Sequence, residues 1–82
     1  MVSIGDKVIY PLHILYVVDC GTHCEVHTQN VVSRTTLQLN ELHTLLHPYT
    51  AFRLVGKYLV AARHIQAEDE TSIYVGDLRL CK

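Results

Sequence analysis

The chain has 82 residues, 49% of them hydrophobic and 18% charged, with a net charge of −1 when its six histidines are neutral. That length holds one small domain in which nearly every apolar residue is needed for a core, and the near-neutral balance argues against tight non-specific gripping of a polyanion. No uninterrupted apolar run exceeds the five residues of Ile14 to Val18, far short of the roughly 20 that span a bilayer, so no membrane segment is expected.

Met1 is followed by Val2-Ser3-Ile4-Gly5-Asp6 rather than by a charged start and a long apolar stretch, so a secretory leader is not expected and the chain reads as cytoplasmic. Three cysteines, Cys20, Cys24 and Cys81, cannot all pair with one another. An odd count in a small chain fits reduced thiols better than a disulfide framework.

Taken in order, Lys7 to Val18 is rich in β-branched and aromatic residues, with Pro11 and Leu12 dividing it into two short strands or one bent strand. Asp19 to Thr22 carries turn chemistry, and Gly21 is free to take positive φ. A hairpin is therefore expected, returning along His23 to Thr28. Gln29 and Asn30 make the next turn before a strand over Val31 to Arg34. After Thr35 and Thr36, Leu39, Leu42, His43 and Leu46 fall on one face of a 3.6-residue period, the one helical signal in the chain. Thr35 with Gln38 fits a capping box, and Thr36 is an alternative N-cap. The helix is expected to stop by about His47, because Pro48 disfavours its continuation. Strand-length segments follow at Phe52 to Leu54, Lys57 to Ala61, Ile65 to Glu68, Ser72 to Val75 and Leu78 to Cys81. The predicted fold is a single mainly β domain over residues 1–82, with at least seven strands and one short helix. No internal repeat is visible, and the acidic triplet Glu68-Asp69-Glu70 reads as a solvated hairpin tip.

Cys20, His23, Cys24 and His27 form C-x2-H-C-x2-H, which offers ligand types suited to zinc. If His23 to His27 is a strand, alternation sends His23 and His27 to one face and Cys24 to the other. Four ligands then cannot converge, and neither a bound metal nor any other cofactor is expected. His43 and His47, one turn apart on the helix, have chelating spacing, but His43 belongs to the apolar face and is expected to pack there. No nucleophile turn, phosphate loop or carboxylate pair stands out, so an enzyme is not expected.

The segment AFRLVGKYLVAARHI, from Ala51 to Ile65, resembles the signature strand-loop-strand of the LytTR family of DNA-binding domains, loosely R-x-H-R/N-S-Y/F-x-V-N-x-x-x-I. Arg53, Tyr58, Val60 and Ile65 fall in register with it and Phe52 lies just ahead, while Val55, Gly56, Lys57 and Ala61 replace the usual polar residues. Leu12 to Val18 is similar to an earlier strand of the family, and Gly21 to Thr28 to its G-N-Y-x-x-V/I-H-T hairpin. Thr36 to Leu46 is similar to its short helix, and Leu78 to Lys82 to its closing i-p-V-S-R.

The resemblance implies a small elongated antiparallel β fold whose loops enter successive major grooves of duplex DNA, as part of a transcription regulator related to response regulators. Carried over by position, the contacts would come from Thr22 and His23, from Val55, Gly56 and Lys57, and from Cys81 and Lys82, with Arg53 and Arg79 near the duplex. His23, alone on a hairpin, is expected to be solvent-exposed. Val55 and Gly56 offer no polar side chain, so direct base readout there is lost, whereas Lys57 and Lys82 retain the charge to meet phosphates. Family members usually follow a receiver or sensor domain. The implied partners are thus double-stranded DNA, with a second copy or an upstream receiver or sensor protein, and no membrane. The competing expectation is a degenerate module that keeps the fold, has lost DNA recognition, and serves protein interaction or oligomerisation. A third, an enzyme or metal-dependent sensor, rests only on the cysteine and histidine count.

Overall fold

The computed structural model describes residues 2–4 and 7–82; Met1, Gly5 and Asp6, part of the leading segment read above for a secretory signal, lie outside them. Ten strands are described: β1 (Val2–Ile4), β2 (Lys7–Ile9), β3 (Ile14–Asp19), β4 (Cys24–Thr28), β5 (Val32–Thr35), β6 (Phe52–Val55), β7 (Tyr58–Ala61), β8 (Ile65–Glu68), β9 (Ser72–Val75) and β10 (Leu78–Cys81). One α-helix, α1 (Leu39–Leu46), lies between β5 and β6. The fold is mainly β, as expected. β1, which the sequence pattern did not suggest, pairs with β2.

Every pairing is antiparallel, and the strands form three sheets: β1-β2, then β5-β4-β3-β7-β6, then β10-β9-β8. Alternation along the central strands gives the five-stranded sheet two apolar faces. On one face Val17, Val26, Leu59 and Phe52 pack with Ile4 and Ile9 of the two-stranded sheet and with Leu39, Leu42 and Leu46 of α1. On the other, Tyr16 and Val60 pack with Ile73, Val75 and Leu80 of the three-stranded sheet. Three layers thus enclose two cores, and the molecule extends 34 × 24 × 22 Å. Each fully buried aliphatic side chain contributes about 1.5–3 kcal/mol relative to exposure, which is how so short a chain supports two separate cores.

Two bulges set which residues reach the second core. Pro11–His13 and Ala62–His64 are single 3-10 turns, each running directly into a strand. Directly after each, the ladder slips, between Ile14 and Tyr16 in β3 and between Ile65 and Ala67 in β8. A bulge places two successive side chains against one partner residue, which lets Leu15 and Tyr16 both face the second core. The His-Ile pairs at 13–14 and 64–65 each stand at the end of such a turn, and His64 Nε2 lies 3.2 Å from the carbonyl oxygen of Leu12 in the first turn.

The helix stays within the expected limits but its cap differs. Gln38 occupies the N-cap in extended geometry, and its N–H donates to the Glu41 carboxylate at 3.3 Å. Thr35 instead accepts from the Leu37 N–H at 3.2 Å and shapes the approach. Its backbone is still committed to the ladder with Cys24, so it cannot also begin a helix. His43 is half-buried, edge-on to His47 at 6.2 Å between ring centroids. Among the described residues no helix is long and apolar enough to cross a membrane.

Candidate nucleic-acid interface

Three chain segments meet at one end of the central sheet. The first is the β3–β4 turn, closed by a hydrogen bond from the Cys20 N–H to the His23 carbonyl at 2.9 Å. Its Asp19 carboxylate accepts from the Gly21 N–H at 2.8 Å, and Gly21 sits at φ +93°. The second is the two-residue β6–β7 loop, Gly56-Lys57. Gly56 at φ +57° supplies the positive φ that a tight hairpin demands at its first central position. The Asp19 N–H donates to the Lys57 carbonyl at 2.9 Å, tying the two loops together. The third is the C-terminal end: the Lys82 carbonyl carbon lies 3.8 Å from where a Cβ on Gly56 would sit, and the Lys82 N–H donates to the Thr71 carbonyl at 2.9 Å. A groove of about 460 Å³ runs between the β3–β4 turn, Leu54 and Gly56 on one side and the residues leading into α1 on the other.

The candidate contact residues are thus neighbours, but their side chains are in different situations. Thr22 is exposed, and its hydroxyl lies 3.1 Å from His23 Nδ1. His23 is only half-exposed, with Nε2 lying 3.7 Å from a Glu25 carboxylate oxygen; the expectation of a plainly solvent-exposed histidine does not hold, because Glu25, two residues on in β4, comes up against its ring. Val55 is half-buried against the second core. Its replacement of a polar residue therefore coincides with an inward-facing position. Cys81 is exposed.

The cations are mostly engaged. Arg53 forks onto Glu68, with both guanidinium nitrogens donating and the Nη2 to Oε2 distance 3.0 Å. Lys82 Nζ meets the same carboxylate at 2.8 Å and the Asp69 carbonyl at 2.6 Å. These bonds, the Arg53 fork foremost, hold the Glu68 carboxyl down to about 2 from its ordinary 4.5, and Glu68 in turn raises Arg53 above its ordinary value. Arg79 Nε donates to the hydroxyl of fully buried Ser72 at 2.8 Å. Among the described residues Lys57 makes no ion pair; its Nζ lies 5.7 Å from the centre of the Tyr58 ring. The acidic triplet is exposed at the β8–β9 hairpin tip, as expected, with Asp69 building the turn by accepting from the Thr71 and Ser72 N–H groups at 2.9 and 2.7 Å, while Glu68 also reaches the cations of β6 and the C-terminal end. Residue-type patterns did not reveal Glu68, since its partners lie 15 and 14 positions away.

A second polar cluster lies on β4 and its neighbours in the five-stranded sheet. Glu25 accepts from His27 Nε2 at 3.3 Å and lies 3.7 Å from Arg34 Nε. The His27 bond, chiefly, lowers the Glu25 carboxyl from its ordinary value. Tyr16 stacks on His27 at 4.5 Å between ring centroids, 10° from parallel. Cys24 turns into the first core, and burial pushes its thiol up from its ordinary value.

No protein-family model, no curated protein and no solved structure matches the chain.

Proposed function

We propose that this chain is a duplex-DNA-binding domain of LytTR type, acting within a cytoplasmic transcription regulator. The observation that carries this reading is the meeting, at one end of the central sheet, of the three segments that the resemblance assigns to DNA contact: the β3–β4 turn with Thr22 and His23, the β6–β7 loop with Lys57, and the C-terminal Lys82. Segments separated by 25 or more residues in sequence have no local reason to adjoin. Phosphate contacts and duplex shape would carry the binding, since such contacts position a protein without reading bases.

A second reading is favoured by a specific observation. Val55 faces inward, and Glu68 already neutralises part of the charge of Arg53 and Lys82, which suits a module that has left DNA for protein interaction or self-association. Fluorescence anisotropy of labelled duplexes at low and moderate salt separates the two. The DNA reading expects low-salt binding that Lys57→Ala weakens alike for all sequences. No binding by the wild-type chain at low salt transfers the proposal to the interaction module.

A further inference from the structure

Alternation along β4 buries Cys24, which is 2% exposed, and so removes it from the ligand set of C-x2-H-C-x2-H. The same alternation brings Glu25 onto the histidine face. Cys20 Sγ, a ring nitrogen of His23 and a carboxylate oxygen of Glu25 all lie within 4.8 Å of one another. Four-coordinate zinc with bonds of about 2.0–2.3 Å sets its ligand atoms roughly 3.3–3.8 Å apart. His23 Nε2 and Glu25 Oε2, at 3.7 Å, already stand at that separation, and the exposed Cys20 thiol needs to close by about 1 Å at most to join them.

An independent observation points the same way. His23 Nε2 is shut off from solvent and has no partner within hydrogen-bond distance, alone in this among the buried side-chain nitrogen and oxygen atoms of the described residues. A buried ring nitrogen without a partner is costly, and a metal ion would satisfy it. The outer partners are also in place. With Nδ1–H donating to the Thr22 hydroxyl at 3.1 Å, the Nε2 lone pair faces inward, and His27 Nε2 holds the far oxygen of Glu25 at 3.3 Å. Such supports orient the ligands of metal sites.

We propose that the β3–β4 turn is a binding site for a divalent metal of the zinc class, with Cys20, His23 and Glu25 as ligands and water in the fourth position. Thr22 and His27 are positioning residues. One thiolate, one imidazole and one carboxylate form a borderline-soft set that suits zinc over magnesium or calcium, and binding releases the thiol proton to solvent. This reverses the expectation of no metal drawn from the cysteine and histidine spacing. The alternation argument behind that expectation rejected Cys24 correctly but left Glu25 out. The proposal does not depend on the DNA reading.

The test is a cobalt(II) titration of the metal-free, phosphine-reduced full chain. Visible bands of four-coordinate cobalt and a near-ultraviolet thiolate-to-cobalt band should saturate together at one equivalent and be displaced by zinc. Cys20→Ser should abolish the thiolate band, and His23→Gln and Glu25→Gln should each weaken cobalt binding by tenfold or more. His27→Phe, which keeps a ring on Tyr16, should weaken it by about tenfold. Cys81→Ser, altering the other exposed thiol, should change nothing. In wild-type protein, independent of any variant's folding, zinc should shift the His23 ring nitrogen resonances to saturation at one equivalent and leave His13 and His64 unmoved. Absence of a cobalt spectrum, a thiolate band surviving in Cys20→Ser, or a His23 ring unmoved by zinc each overturns the proposal.

Discussion

Replacing Glu68 by Gln probes whether the clamped cations serve DNA. In the wild type, Arg53 and Lys82 share one carboxylate, so two positive charges act as one. Glu68→Gln leaves the shape of the side chain and releases both cations, adding one net positive charge to the edge where the three segments meet. If that edge lies against a duplex, one further phosphate is neutralised, and the slope of log affinity against log salt steepens by about 0.9. Between 50 and 200 mM salt this corresponds to an additional loss of roughly three- to fourfold in affinity for the variant, on top of tighter binding at the low-salt end. The assay is anisotropy of one labelled duplex at four or five salt concentrations, with Glu70→Gln alongside. Glu70 lies two residues on, carries the same charge and makes no ion pair among the described residues, so it measures the effect of net charge alone. If Glu68→Gln and Glu70→Gln give the same slope, Arg53 and Lys82 do not face the duplex and the reasoning is refuted.

The clamp also makes stability depend on pH. Because the Glu68 carboxyl is held down to about 2 from 4.5, its contribution is fully present above pH 4.5 and is lost as pH falls through about 2. Wild type and Glu68→Gln should therefore differ in thermal midpoint at pH 6 and converge toward pH 2. Leu59→Ala, at a fully buried position of the interior strand β7, should cost about 2–5 kcal/mol in urea denaturation; a cost below 1 kcal/mol would contradict the packing of the first core. Gly56→Ala meets no crowding, its nearest neighbour being 3.8 Å away, so the cost should come from the φ of +57° alone. That amounts to about 1–2 kcal/mol, and a neutral result would show that the β6–β7 turn has another form.

Much of the strand pattern was legible because alternation and turn residues are local. The five segments from Phe52 to Cys81 each form a strand within a residue of their expected bounds, and the structure places Gly56 and Gly76 at positive φ in the turns between them. β1 was missed because three residues carry too little pattern to separate a strand from a tail. The helix cap was misplaced because Thr35 has two calls on its backbone: local propensity favours a cap, but the ladder to Cys24 holds it in β5. The bulges were not legible at all. They show only as a slipped register, yet they decide that Leu15 joins Tyr16 on the second core.

The carboxylates of the site were illegible for a related reason. Glu68 meets Arg53 only after β6 and β8 are brought side by side through separate sheets, and Glu25 meets His23 only once alternation excludes Cys24. Their discovery changes what the net charge of −1 means. The near-neutral balance does not signal an absence of cations at the candidate edge; it signals cations held in advance by Glu68. In the proposed complex, Arg53 and Lys82 would exchange a carboxylate for a phosphate rather than gain a partner, so the Coulombic return is a difference between two ion pairs. An exposed pair of this kind is worth little by itself, and the exchange stays feasible. Its yield in released counterions is nevertheless smaller than a count of lysines and arginines would suggest. A log-log slope near −2 then follows for the wild type, with Lys57 and one net charge from the clamp as its sources. A measured slope near −3 would mean that Glu68 lets go of both cations, and one of −4 or steeper that basic residues outside this edge, such as Arg34 or Arg63, bind the duplex as well.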